Sequence, residues 1–372
     1  IDVLTVRPSP NDSFYDASLL KDIPENVRVF RSYPGILYSI FHRSNKTVRG
    51  FNKATIEWFP FGWIKGLDLL AKQRYDLIIS SALPFVGHLV GYVLKKRAKI
   101  PWVADYGDPL AFNPLTSPVK RFIGKFVEGA VLKAVDGVIV PFEEMKDEFL
   151  EFYPFLHGRK FKSISQGIPE SFGSIKKENY GQKFVLSYVG SFYKDVHEPF
   201  EFFKALQTLR SHPKLIKDIA VVIAGNTEQK YVDCAKQLKI DGFTKFLGQV
   251  SFNKAVSILK GSSAILYIGG RRNDYHFPSK VLVYAATNRP IIAIQQSITD
   301  LGADFIRKNR LGFVVSNDQK KIEKVIEDLY RSWEEKEIDI KFNKMSKEGF
   351  FWKIRGEELE NFIVSVREEY GS

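Results

Sequence analysis

The stretch AILYIGGRRNDYHFPSKVLVYAATNRPIIAI, residues 264–294, decides the fold. Residues 264–268 are an apolar run of strand length, broken by Gly269 and Gly270. Residues 271–277 read as a basic, aromatic loop. Pro278 suits the first turn of a helix, where its missing N–H costs nothing. Residues 281–286 are apolar all round, which predicts a short buried helix. Asn288 suits the C-terminal cap, and Pro290 opens a second apolar strand at 291–294. A helix N-terminus carries unpaired N–H groups and about half a positive charge. Arg271, Arg272 and Lys280 surround it with full charges. The combination suits a phosphate or diphosphate. Its bland counterpart is an ordinary α/β unit with solvated loop arginines.

The bulk numbers agree with a folded α/β protein. A chain of 372 residues has room for two domains. With 44% hydrophobic and 26% charged residues it is ordinary globular material, not a disordered chain. Lys and Arg number 55 against 43 Asp and Glu, and the net charge of +12 favours anionic partners. Cys234 is the only cysteine, which excludes an internal disulfide framework and a cysteine-built metal site and fits a reducing compartment. Residues 77–94 carry no charge and reach the length of a short membrane span. Ser80, Ser81, Pro84 and His88 interrupt them, so they parse as a buried strand, a loop and a helix.

Outward from the opening stretch, the chain alternates strand and helix signals. Strands are expected at 1–6, 27–31, 77–80, 102–104 and 137–140, with helices near 64–74, 86–97, 117–134 and 142–152. Such alternation implies a parallel sheet covered by helices, with binding residues in loops at the carboxyl ends of strands. The loops at 80–84 and 105–109 stand out. Residues 165–183, rich in Gly, Ser, Pro and Lys, read as a linker. The alternation then restarts: a strand at 185–189 ending in Gly190-Ser191, a helix at 198–209, a strand at 220–224 ending in Gly225-Asn226, a strand at 245–247 ending in Gly248, and a helix at 253–260. The expected architecture is α/β, two Rossmann-like domains (1–167 and 168–372) facing a central cleft. A final helix carrying Leu359, Phe362, Ile363 and Val366 should pack back on the body.

Taken in order, these segments resemble the bacterial family-4 glycosyltransferases of the GT-B fold. YDLIISSALPFVGHLVG precedes PWVADYGDPLAFNP, and AVDGVIVPFEEMKDEF precedes ISQGIPESF. VLSYVGSFYKD, AVVIAGN, FLGQVSFNKAVSILKGSSAIL and HFPSKVLVYAATNRPIIAI follow. The resemblance covers residues 75–315 well and the rest loosely. It implies transfer of a sugar from a nucleotide-sugar donor to a hydroxyl of a glycan or lipid-linked acceptor, with retention and without a metal. It puts Gly190, Ser191, Lys194, Lys280 and the backbone at Ser279 against the donor diphosphate, and Gln249 and Val250 at the nucleobase. Arg271, Asp274, Tyr275, His276 and Asn226 belong to the same donor set, while Asp105, Asp108 and His88 would line the cleft from the first domain as catalytic residues. Asp105 and Asp108 also suit loop capping, His88 also suits a satisfied histidine in an apolar helix, and Asn226 also suits a turn.

Four departures from the family pattern stand out. The usual E-x7-E glutamates fall on Tyr275 and Val283, with Asp274 adjacent to the first. The loop after the second domain's first strand has Lys194, and His197 if protonated, where relatives carry arginine. The D-x-R-D pattern reads Asp105-Tyr106-Gly107-Asp108. Residues 1–6 look like the family's second strand, so a truncated amino terminus is expected. No Asp-x-Asp metal clamp is present. Two alternative readings use the same fold: a nucleotide-sugar epimerase, and a degenerate scaffold that binds a glycan, lipid or protein. No nucleic-acid motif is present, and no nucleic-acid partner is expected. Trp58, Phe59, Phe61 and Trp63, with Lys53, Lys65 and Lys72, suit either an anionic membrane surface or a packed hydrophobic subdomain. The expected location is cytoplasmic, peripheral on the inner face of the membrane.

Overall fold

The computed structural model describes residues 1–7, 20, 23–36, 56–82, 84–113, 117–158, 160–192, 197–270, 277–338 and 342–371. The chain divides into two units: Ile1–Ser165 with Gly356–Ser372, and Gln166–Arg355.

In the first unit β1 (Asp2–Val6) pairs in parallel with β2 (Arg28–Ser32). Helix α1 (Phe59–Lys72) follows. Next come β3 (Ile78–Ser81), α2 (Val86–Ala98), β4 (Trp102–Asp105), α3 (Pro118–Ala134), β5 (Gly137–Val140), α4 (Glu143–Phe152) and β6 (Lys160–Ser163). Strands β3 to β6 form a parallel sheet in sequence order. Val103, Ala104, Val138 and Val140 are fully buried, as β-branched and small residues are in a sheet covered on both faces. The expected strands at 77–80, 102–104 and 137–140 are all present; β6 was not expected.

In the second unit the elements are β7 (Phe184–Val189), α5 (Phe200–Leu209), α6 (Pro213–Asp218), β8 (Ile219–Ala224), α7 (Gln229–Gln237), β9 (Thr244–Phe246), α8 (Phe252–Gly261), β10 (Ala264–Ile268), α9 (Lys280–Ala286), β11 (Ile291–Gln295), α10 (Leu301–Lys308), β12 (Gly312–Ser316) and α11 (Gln319–Glu334). All six strands are parallel, in the order β12-β11-β10-β7-β8-β9. Counted from β7, this is the doubly wound order 3-2-1-4-5-6 read from the far edge. A large apolar cluster under β7, β8 and β10 draws Phe202, Phe203 and Leu206 from α5 and Ile322, Ile326 and Leu329 from α11.

Helix α12 (Trp352–Tyr370) closes the chain. Its Phe362 and Val366 are buried against Val103 and Ile139 of the first unit. Burying side chains of this size contributes about 1.5–3 kcal/mol each. The expected linker is more ordered than its composition suggests. Ile168 and Phe172 are buried, and Ile168 bridges to Phe351. Pro278 also sits earlier than expected, since α9 starts only at Lys280 with Ser279 as its N-cap. Asn288 ends that helix at φ +55°, and its side-chain oxygen accepts from the Met345 amide at 2.9 Å.

Candidate functional site

Winding of the second sheet reverses between β7 and β10. Connections from those two strands leave on opposite faces, so the fold opens a crevice at their carboxyl ends. Residues after β7 and β10 are therefore the ones positioned to meet a ligand. They are Gly190 and Ser191 on one side, and Gly269 onward, with Ser279 and Lys280, on the other.

The ends of β7, β8 and β9 are tied backbone to backbone. The Gly190 amide donates to Ala224 O at 2.8 Å, and the Gly225 amide to Gly248 O at 2.7 Å. Gly190 has φ +151° and Gly225 φ +135°, a region that residues with a Cβ rarely enter. A Cβ on Gly225 would fall 2.1 Å from the Gly190 carbonyl oxygen. This close approach explains the glycine at 225, and the backbone angle the glycine at 190.

Aromatic side chains carry the loop after β7. Tyr284, buried on α9, donates its hydroxyl to Val189 O at 2.6 Å. Tyr188 donates to Ser191 O at 3.2 Å, and Phe192 stacks on Tyr188 with centroids 4.6 Å apart. The Lys280 ammonium stands over two rings, Tyr188 and Tyr267, at 5.3 Å from each. Cation–π attraction of this kind holds the ammonium beside the Gly190–Ser191 turn. Lys280 thus packs against the strands that lead into Gly190 and Gly269.

Two residues at this point were missed or misjudged from sequence. His197 bonds to the backbone of Ile268 and Gly269, which ties the loop after β7 to the end of β10. Burial, and then the Lys280 charge, bring its pKa down to about 4. It is neutral at pH 7, so the protonation on which a phosphate-facing role depends is absent. Asp300, in the N-cap position of α10, accepts from the Ala303 amide at 3.0 Å and from the Tyr267 hydroxyl at 2.8 Å. Its other oxygen lies where a Cβ on Gly269 would sit, 1.8 Å away. Burial raises its pKa above the ordinary carboxylate value. Asp300 packs beneath Gly269 and locks the end of β10. The only hint in sequence is the T-D-L-G-A run, which reads simply as a helix start.

The remaining expected positions divide clearly. Asn226 is exposed beside Gly225. Val250 packs with Val185, Val222 and Ala224, so its side chain faces the apolar layer and only its backbone is available to a base. Val283, where the second glutamate of the expected E-x7-E pattern would fall, is half-buried in the apolar clusters around α9. Lys194, Arg271, Asp274, Tyr275 and His276 lie outside the described residues.

In the first unit Asp105 ends β4 as expected. Its carboxylate accepts from the Ser81 hydroxyl at 3.0 Å, and burial raises its pKa despite that bond. Asp108 follows, half-buried. His88 does not line a site. It is fully buried, with Nδ1 at 2.7 Å from Ser80 Oγ and its ring 4.5 Å from that of Tyr106. Trp102 Nε1 donates to the same Ser80 oxygen at 2.8 Å. Burial holds its pKa down at about 3, which leaves it a neutral core histidine. Of the two readings of the aromatic stretch, the packed subdomain holds for its described part apart from Trp63. Trp58 is buried and donates to Ser32 Oγ at 2.7 Å, and Phe59 and Phe61 pack around it. Trp63 remains exposed, and residues 37–55 lie outside the description.

A buried carboxylate sets the loop after β4. Glu128 on α3 accepts from the Leu110 amide at 2.7 Å, the Ala111 amide at 3.1 Å and the Tyr153 hydroxyl at 2.9 Å. Burial outweighs these bonds and pushes its pKa up to about 7. Among the described residues one group has metal-ligand spacing: His212, Glu323 and Glu327. It lies by the amino end of β8, and His212 Nε2 is 3.1 Å from Glu327 Oε1, a contact within the protein that accounts for the grouping.

Residues 172–347 match the family described as Glycosyl transferases group 1. The matched segment makes up slightly less than half of the chain. It contains the whole six-stranded sheet and every described residue of the crevice. No curated protein matches the chain. Among solved structures, sucrose-phosphate synthase from Thermosynechococcus elongatus is similar with TM-score 0.68 at 15% identity, over 98% of this chain and 88% of that one. HepE from Anabaena, in complex with UDP and glucose, is similar with TM-score 0.64 at 13% identity, over 98% and 99%. A UDP-N-acetylglucosamine 2-epimerase from Listeria monocytogenes, itself described as putative, is similar with TM-score 0.61 at 12% identity, over 99% and 97%. At these identities the likeness is one of fold. The fold is GT-B, with two Rossmann-like units. Among the described residues no helix is long and apolar enough to cross a membrane.

Proposed function

We propose that this protein is a glycosyltransferase that takes a sugar from a nucleoside diphosphate sugar and delivers it to a hydroxyl of a glycan or lipid-linked acceptor. The observation that carries the reading is the crevice between β7 and β10 inside the group 1 domain, where the Lys280 ammonium stands beside the Gly190–Ser191 turn. Breaking a sugar–phosphate bond leaves negative charge on the departing diphosphate, and the main catalytic task is to stabilise it. In this proposal the Gly190 and Ser191 backbone lies against the diphosphate and Lys280 neutralises it, with Lys194 and Arg271 as further cations. Cations in these roles let transfer proceed without a metal. The developing phosphate takes the acceptor proton, and the anomeric configuration is retained. Asp105 and Asp108 orient the acceptor.

The group 1 domain favours transfer over epimerisation, although the epimerase shares the fold. A degenerate, non-catalytic scaffold keeps one specific support, the valine at position 283. The lone cysteine fits the cytoplasm, and the proposal has the enzyme work at the inner face of the membrane.

Calorimetric titration with UDP, GDP and ADP, then with their sugars, with and without EDTA, tests the reading. One nucleotide should bind, insensitive to EDTA. Lys280→Ala should weaken it by about 10- to 100-fold, as expected for a lost charge-assisted contact of about 1.5–3 kcal/mol. Absence of binding to all three would overturn the transferase reading in favour of the scaffold.

A further inference from the structure

Helix α3 is apolar on two sides. Its inward side holds Gly124, Glu128, Val131 and Leu132, all buried. Its outward side carries Val119, Phe122, Ile123 and Phe126, exposed at 71, 66, 50 and 64%. These four recur at helical spacing, and the exposed Ala130 and Lys133 continue the same stripe. From Val119 to Lys133 the stripe runs for about 21 Å. Phe122 and Phe126 touch edge to face at 5.2 Å, so they form one apolar ridge. Single exposed apolar residues are common, but a contiguous ridge of four on one helix needs a partner.

Charge identifies that partner. Segment 117–134 contains Lys120, Arg121, Lys125 and Lys133, and its one acid, Glu128, points inward and is buried. Lys125 lies over Phe152 and Lys133 over Phe155, each at 5.2 Å, and Phe155 is itself 42% exposed. Long cationic side chains laid along aromatic surface, with an apolar ridge between them, match the interface of a bilayer. A second copy of the chain would bring the same lysines against this stripe. An anionic headgroup layer brings the opposite charge, at roughly 1 kcal/mol per nearby Lys or Arg, and the net charge of +12 adds to the attraction.

We propose that the outward face of α3, with Phe155, is a membrane-binding surface that inserts Phe122, Ile123 and Phe126 among the acyl chains of an anionic leaflet. This extends the membrane part of the function reading to a named surface, different from the aromatic stretch around Trp58.

The full chain is floated with vesicles of phosphatidylcholine containing about one third phosphatidylglycerol, and with phosphatidylcholine alone. Wild type should float with the anionic vesicles and release as salt rises from about 0.1 M to about 1 M. Phe122→Ser/Phe126→Ser should lower partitioning at least about tenfold, and Lys125→Glu severalfold. Both phenylalanines are exposed, and an unchanged near-UV spectrum will show that the fold is kept. Nucleotide titration runs in parallel, so a vesicle failure with intact UDP, GDP or ADP binding sinks this inference alone. Three results would overturn it: no flotation of wild type, equal flotation of wild type and double variant, or a dimer that dissociates in the double variant.

Discussion

Replacing Gly225 by alanine is the sharpest probe of the crevice. Its new Cβ falls 2.1 Å from Gly190 O and 2.6 Å from Gly190 C, so the clash is with backbone and no rotamer change relieves it. The two strand ends must part by about 1 Å to restore ordinary contact. That movement stretches the 2.8 Å bond from Gly190 to Ala224 and the 2.7 Å bond from Gly225 to Gly248. Each such bond contributes about 1 kcal/mol, and a Cβ held at φ +135° costs about 1–3 kcal/mol more. The total of about 3–5 kcal/mol is smaller than the stability of a typical domain, so the variant still folds. For a unit of this size it should lower the melting temperature by about 10 °C. Because the displaced atoms are those of the Gly190 turn, nucleotide affinity should fall with stability, by about tenfold or more. Gly242→Ala is the control: a Cβ there meets nothing within 4 Å. Thermal unfolding and calorimetric titration of the three proteins test the argument. A Gly225→Ala protein that melts within about 2 °C of wild type and binds nucleotide equally would refute the close approach.

Two further outcomes follow from buried polar groups. Burial raises Glu128 to about 7, so the native state holds a proton that the unfolded chain releases near the ordinary value of 4.5. That contribution is complete below pH 4.5 and is lost as pH rises through about 7. Wild type should therefore lose about 3 kcal/mol relative to Glu128→Gln between pH 4.5 and pH 8. Urea unfolding of both proteins across that range measures it, and a pH-independent difference would contradict the buried, proton-holding carboxyl. Tyr284→Phe removes the 2.6 Å bond to Val189 O from a buried site. It should cost about 1–3 kcal/mol in urea unfolding and weaken nucleotide binding several-fold, because Val189 leads directly into the Gly190 turn.

Much of the crevice is legible in sequence because backbone geometry dictates residue type there. Gly190, Gly225 and Gly248 each end an apolar run, and each sits at positive φ in the structure. Helix α9 was readable because residues 281–286 are apolar all round, as a helix covered on every side requires. Strands β6 and β12 were not. Both are edge strands whose residues are mostly half-buried; β6 (Lys-Phe-Lys-Ser) shows no apolar run, and the run in β12 is only the three residues Phe313–Val315. His88 was ambiguous because its partners Ser80, Trp102 and Tyr106 come from two other strand ends, and only the fold brings them to it. Asp300 is the N-cap of α10. Its contact with Gly269 depends on β10 and β11 being neighbours, which no local pattern states.

Helix α3 shows where periodicity stops being informative. Val119, Phe122, Ile123 and Phe126 follow the same i, i+3, i+4, i+7 rule as a core-facing stripe. The rule says that they share a face and nothing about what covers it. Gly124, Glu128, Val131 and Leu132 share another face, and the sheet can cover only one of the two. The inward side is chosen by the buried Glu128, whose oxygens are taken by Leu110, Ala111 and Tyr153. Rotating the helix to hide the phenylalanines would expose Val131 and Leu132 and strip Glu128 of three bonds, at about 1–3 kcal/mol for each group left unpaired. The carboxylate that holds the loop after β4 therefore also fixes which stripe faces outward. Glu128→Gln keeps the shape and one of the two acceptor oxygens and should leave vesicle binding intact. Phe122→Ser/Phe126→Ser should remove vesicle binding without changing the pH dependence of stability. If the two phenotypes travel together, the inward and outward faces of α3 are not separable as argued.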